Sequence, residues 1–246
     1  MLKFASSISE VTAMTDALTL TDVTAGYGPT QVLHSISLTI PKGERLAVIG
    51  RNGAGKTTLL ATMMGLTRLH AGTVALGDTP ITSLPPHKRN AAGLGLVPQT
   101  RDIFRSLTVE ENLLAAQRGE ATLDEAYTLF PRLKERRRNG GGQLSGGEQQ
   151  MLAIARTLMT GPQTLLLDEP LEGLAPVICE QLMEVFERLA AEGRTVVLVE
   201  QHAEAALSFA SRALIMTGGA IVHDRPAKAL KGSDLLERHI GVALAT

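Results

Sequence analysis

The stretch GRNGAGKTT, residues 50–58, decides the fold. It follows RLAVI, a short apolar run with strand character, and leads straight into KTTLLATMMGL, which has helical spacing. In that strand–turn–helix setting, the spacing G-x-x-x-x-G-K-[ST] carries a mechanism. Gly50, Asn52, Gly53, Ala54, Gly55, Lys56, Thr57 and Thr58 form a candidate phosphate site. The backbone N–H groups of residues 53–57 and the helix N-terminus would surround the anion. Lys56 would neutralise the terminal phosphates, and the Thr57 hydroxyl would bind Mg²⁺. The plain alternative is a tight glycine turn with an incidental lysine.

Working outward, ALTLTDVTAGY and VLHSISLTI upstream read as strands, and TVAL with the Gly77-Asp78 turn adds another. Residues 108–160 are helical in pattern. Thr108 and Glu111 have capping-box spacing, and ATLDEAYTLF ends before Pro131. Residues 139–142 form a glycine-rich break. TLLLDE and TVVLVE then flank a helix that starts at Pro176, carries Ile178, Leu182, Val185, Phe186 and Leu189 on one face, and stops at Gly193. Two continuous apolar strands joined by a helix imply parallel strands covered on both faces. The expected fold is α/β, a mostly parallel core sheet with helical residues inserted at about 100–160. There are no internal repeats.

The bulk composition narrows the classes. Of 246 residues, 44% are hydrophobic and 20% charged, which predicts a packed core rather than disorder. A net charge of −1 argues against a general nucleic-acid binder. The basic run at residues 134–138 reads as a solvated surface loop. Cys179 is the single cysteine, so no internal disulfide forms, a reducing compartment fits, and its helical setting disfavours a catalytic thiol. No apolar run approaches the ~20 residues that span a bilayer. Residues 1–16 lack the apolar core of a signal peptide and read as a loose tail or as the product of an upstream start, with residues 17–246 as one domain.

Two further constellations carry chemistry. Asp168 and Glu169 end TLLLDE, and a buried parallel strand delivers its last residues to the edge where open α/β sheets bind ligands. Asp168 would hold Mg²⁺, and Glu169 would polarise an attacking water. A solvated strand end is the plain alternative. In LSGGEQQ, Ser145 and Glu148 have capping-box spacing, so a simple helix start is one reading. Gly146 and Gly147 weaken a first turn and would let backbone N–H groups approach an anion.

The order GRNGAGKTT, VPQ, LSGGEQQ, LLLDEP resembles ABC transporter ATP-binding subunits, from about Ala17 onward. The resemblance implies a P-loop NTPase core with an antiparallel β subdomain and an inserted helical subdomain. It implies ATP and Mg²⁺ as cofactors and hydrolysis of ATP coupled to transport. Two such subunits pair head to tail, so that Ser145, Gly146, Gly147 and Glu148 of one close over ATP held by the other. Tyr27 matches the aromatic that stacks on adenine, although a strand tyrosine reads as well. Gln99 matches the residue that reaches Mg²⁺ and links the ATP site to the helical subdomain. LSGGEQQ sets aside a phosphate-loop GTPase or kinase. The short helical stretch and the single cassette disfavour repair-type and ribosome-associated relatives.

PQTRDIFRSLTVEENL, LFPRLKERR and DEPLEGLAP are more specifically similar to the smaller ATPases of branched-chain amino acid (Liv-type) importers, with urea importers close behind. The implied partners are two membrane permeases, a second paralogous ATPase or a second copy, and indirectly a periplasmic substrate-binding protein, with no nucleic acid. The implied place is the cytoplasmic face of the inner membrane, with a groove beside the Gln99 segment receiving a permease helix.

Two positions depart from the family pattern. Ala175 stands where many members carry an aspartate, and it is a poor N-cap for the helix at Pro176. In VVLVEQ, Gln201 falls where many members have a histidine that contacts the γ-phosphate, and His202 comes one residue later. A one-residue shift reverses the side chain, so the expectation is that Gln201 faces the phosphate and His202 is peripheral. Both are catalytic candidates. The terminal HIGVALAT suggests no function.

Overall fold

Period-two burial organises the molecule, and the computed structural model describes it over residues 17–201 and 203–240. The tail expected over residues 1–16, His202, and residues 241–246 lie outside the described residues. In chain order the strands are β1 (Leu18–Tyr27), β2 (Thr30–Ile40), β3 (Arg45–Ile49), β4 (Arg68–Leu76), β5 (Thr79–Pro80), β6 (Leu94–Val97), β7 (Thr164–Asp168), β8 (Thr195–Glu200), β9 (Arg212–Thr217) and β10 (Ala220–Pro226). Helix α1 (Lys56–Met63) follows β3, and α2 (Pro86–Ala91) precedes β6. Four helices separate β6 from β7: α3 (Val109–Ala116), α4 (Leu123–Leu129), α5 (Pro131–Glu135) and α6 (Gly146–Leu158). Helix α7 (Pro176–Ala191) joins β7 to β8, and α8 (Ala203–Phe209) joins β8 to β9. Helices α9 (Ala227–Leu230) and α10 (Asp234–Ile240) follow β10.

Strands β2-β1-β4-β5 form an antiparallel sheet, and β10-β9-β3-β8-β7-β6 form the core sheet. Within the core sheet only the β9–β10 edge pair is antiparallel. This is the α/β architecture with a mostly parallel sheet and an antiparallel β portion that the sequence implied.

Alternation divides the core. Leu46 and Val48 of β3, Leu166 of β7 and Val197 and Val199 of β8 pack with Leu59, Leu60 and Met63 of α1 and with β1 and β2. Ala47, Ile49, Leu165, Leu167, Val196 and Leu198 point the other way, onto Leu152 of α6, Leu182 and Phe186 of α7 and Phe209 of α8. Every residue of β7 and β8 is buried, as expected for parallel strands covered on both sides. Helix α7 starts at Pro176 and buries Leu182, Val185, Phe186 and Leu189. The chain leaves it through Gly193 at φ 86°.

Two local readings need amending. Pro131 ends one helical pattern but is also the first residue of α5, where a missing N–H costs nothing. The basic run is not simply a solvated loop. Lys134 and Glu135 close α5, and Arg136 donates from Nε to Glu148 Oε1 at 3.3 Å. The buried carboxylate that recruits Arg136 is twelve residues away, beyond what charge patterning can show.

Candidate active site

Strands β3, β8 and β7 are neighbours, and their carboxyl ends bring the sequence motifs to one edge. The turn after β3 reaches α1 through Gly55, which has φ 101° and offers no side-chain cap. A side chain there would be strained and would press on Leu33 Cδ2 at 3.1 Å. The first N–H groups of α1 are therefore left without a side-chain acceptor.

Lys56 is buried at 4% exposure, and its ammonium lies 2.9 Å from Gly50 O and 3.2 Å from Glu169 Oε1. Thr57 donates from Oγ1 to Asp168 Oδ1 at 3.1 Å. Gln99, two residues after β6, donates from Nε2 to Glu169 Oε2 at 3.2 Å and to Glu172 Oε2 at 2.5 Å. Two residues further, Arg101 Nε donates to Gln150 Oε1 of α6 at 2.9 Å. The Gln99 segment thus bridges the strand edge and the helices between β6 and β7.

These groups surround a cavity of about 350 Å³ lined by Asn52, Gly53, Ala54, Gly55, Lys56, Thr57, Thr58, Gln99, Glu169 and Glu172, with Val32. A larger cavity of about 690 Å³, between the Arg118–Asp124 loop and the end of α7, holds none of the motif residues. Burial pushes the Asp168 carboxyl up to about 6, with the Glu169 and Glu172 charges adding and the Thr57 hydroxyl and Lys56 opposing. Glu169 follows β7 at φ 46°, a left-handed conformation, and its carboxylate meets Lys56 and Gln99. The Thr57 hydroxyl and the Asp168 carboxylate are hard oxygen donors beside a cationic phosphate loop, a donor set that fits Mg²⁺.

Other candidates lie apart. Tyr27 ends β1 and is 50% exposed, outside the cavity lining. Gln201 follows β8 and is half-buried, also outside that lining. Ser145, Gly146, Gly147 and Glu148 open α6 and do not line the cavity of their own chain. Ser145 Oγ accepts the Glu148 N–H at 3.3 Å, and Glu148 Oε2 accepts the Ser145 N–H at 2.9 Å. Burial raises the Glu148 pKa, but the Ser145 bonds with Arg132 and Arg136 outweigh it and hold the carboxyl below its usual range. Gly147 has a packing reason as well: a Cβ there would meet Ile178 of α7 at 3.1 Å.

Two acidic residues in this region escaped the sequence reading. Glu172 lines the cavity and pairs with Gln99. Glu200, at the end of β8, is 3% exposed. Its signal was a lone carboxylate closing the apolar run TVVLVE.

The ABC transporter family profile matches residues 33–172. The high-affinity branched-chain amino acid transport ATP-binding protein BraG of Pseudomonas aeruginosa is 43% identical over 233 residues, covering 91% of this chain and 99% of that protein. A probable branched-chain amino acid transport ATP-binding protein, LivF of Archaeoglobus fulgidus, is 37% identical over 221 residues, covering 87% and 94%. Among solved structures, a dimeric ATP-binding cassette in a post-hydrolysis state, bound to ADP and Pi, matches with a TM-score of 0.76 at 25% identity. That match covers 85% of this chain and 98% of that one.

Proposed function

The chain belongs to the ABC transporter family as one of its ATPases, and from that premise we propose that it energises an importer of branched-chain amino acids. The observation that carries the reading is the convergence of Lys56, Thr57, Glu169 and Gln99 on one cavity, with Asp168 held behind it by the Thr57 hydroxyl, in a chain so similar to BraG over nearly its full length.

In the proposed cycle the N–H groups of residues 53–57 bind the phosphates of ATP, and Lys56 turns from Glu169 to the β and γ phosphates. Glu169, released from that ion pair, accepts a proton from the attacking water. ATP and water give ADP and phosphate. Thr57, Asp168 and Gln99 would hold Mg²⁺, which when bound neutralises developing charge on the phosphates. Tyr27 stacks on adenine from its exposed position. The alternation of β8, carried one residue further, turns Gln201 toward the face that carries Thr57, which supports Gln201 at the γ-phosphate and His202 at the periphery. Ser145, Gly146, Gly147 and Glu148 complete the site of a second subunit, a paralogue or a second copy.

We assign a helix of one of the two permeases to the groove beside the Gln99 segment, about 360 Å³, where Phe104 is 49% exposed. Arg156 lies 4.7 Å from the Phe104 ring, and its buried Nη1 has no hydrogen-bond partner among the described residues. A helix entering there could supply the acceptor. No helix among the described residues is long and apolar enough to cross a membrane. By similarity to the transport ATPases, the proposed location is peripheral, on the cytoplasmic face of the inner membrane, with a periplasmic binding protein as indirect partner.

The test is ATP turnover of the chain assembled with its co-purified permeases in liposomes. Turnover should rise when a binding protein loaded with leucine, isoleucine or valine is added. Stimulation by a urea-loaded binding protein instead would move the substrate assignment. In the same assay Gln201→Ala should impair hydrolysis more than His202→Ala, and the reverse order would exchange their roles.

A further inference from the structure

Strand β8 ends in a buried carboxylate that the cycle above does not use. Among the described residues, the single hydrogen-bond donor to Glu200 is the Leu171 N–H, 3.1 Å from Oε1. Burial pushes its carboxyl up to about 7; the Leu171 N–H and Lys56 lower it, and the charges of Glu169 and Glu172 raise it. A buried carboxylate with one neutral donor is a costly way to fasten a loop, because a neutral side chain could accept the same N–H. Stability alone therefore does not account for it.

Leu171 belongs to the loop that carries Glu169 off β7. Backbone bonds fold this loop on itself, Glu172 N–H to Glu169 O and Leu174 N–H to Leu171 O, both 3.3 Å. The Cys179 thiol donates to Leu171 O at 3.7 Å. Ala175, at the far end, contributes no side-chain cap. Two bonds attach the loop to the central strand: Glu169 N–H to Val199 O at 3.0 Å, and Leu171 N–H to Glu200. Since β8 lies between β3 and β7, Glu200 ties the Glu169 loop to the strand beside the phosphate loop.

We propose that Glu200 is a positioning residue for ATP hydrolysis, holding the Glu169–Glu172 loop through the Leu171 N–H so that Glu169 is aimed at the attacking water. This rests on the assignment of Glu169 as the group that accepts the water's proton. The test uses the full-length chain purified with its partners and measures kcat, equilibrium affinity for a fluorescent ATP analogue, and Tm at pH 8. Glu200→Gln keeps an acceptor and should hold kcat within threefold of wild type. Glu200→Ala and the volume-preserving Glu200→Met remove it; kcat should fall at least tenfold, with ATP affinity within twofold and Tm not lowered. Should the alanine variant fail to fold, the methionine variant decides. Wild-type kcat in the methionine variant overturns the inference, as does a Gln variant as slow as Met, or a loss confined to ATP affinity. A wild-type chain without turnover overturns the role of Glu169 and this inference together, whereas wild-type turnover with unaffected variants overturns this inference alone.

Discussion

Two glycine-bearing helix starts, those of α1 and α6, look alike in sequence and are opposite in the folded chain. Both leave orphan N–H groups in a first turn. At α1 the N-cap is Gly55, left-handed and without a side-chain acceptor, so the amides stay open beside Lys56 and Thr57. At α6 the N-cap is Ser145, whose hydroxyl takes the Glu148 N–H while Glu148 takes the Ser145 N–H and is itself held by Arg132 and Arg136. The first start has no side-chain acceptor within the chain. The second has its Glu148 N–H capped within the chain, and in the proposed cycle it meets nucleotide only as part of another subunit.

The largest expected effect falls on the α1 side. Glu169→Gln should cut turnover by about 10²–10⁴-fold, the usual contribution of a general base. ATP should still bind, and the closed pair should accumulate, read by ATPase assay and by the elution volume with ATP. Unchanged turnover in the full complex would remove Glu169 from the mechanism.

An intermediate effect separates the two starts. Ser145→Ala removes the cap of α6 and should cost about 1 kcal/mol of stability. The isolated chain's affinity for ATP should be unchanged, because α1 binds alone, while turnover of the assembled pair drops about tenfold. A weaker affinity in the isolated chain would mean that the two helix starts are coupled within one subunit.

The smallest effect on turnover belongs to Glu200→Gln, whose signature lies in stability instead. Glu200 has a folded-state pKa raised from 4.5 to about 7, so its ionised form opposes folding. That penalty grows as pH rises from 4.5 to 7 and is complete above 7, with an upper bound of roughly 3 kcal/mol. Glu200→Gln should therefore melt higher than wild type at pH 8, and the gap should close as pH falls toward 4.5. A gap independent of pH between 8 and 4.5 would show that Glu200 is not the titrating group.

Local signals were legible wherever the physics is local. The strands around GRNGAGKTT, the Thr108–Glu111 and Ser145–Glu148 capping boxes, and α7 from Pro176 to its glycine stop follow from dihedral preference, side-chain reach and period. Glu172 and Glu200 were not legible. Each is an ordinary acidic residue until Gln99, 73 residues earlier, reaches one and the Leu171 amide reaches the other. The tie between Arg136 and Glu148 was hidden for the same reason.

The sequence by itself determined the phosphate loop, the paired carboxylates after an apolar strand, and a layered α/β fold. Those depend on spacing along the chain, which folding does not alter. Only the tertiary structure decided that β8 lies between β3 and β7, and so which carboxylates share a cavity and which is buried behind it. Strand order is a long-range choice, and the electrostatics of a site depend on distances in space that no local period encodes.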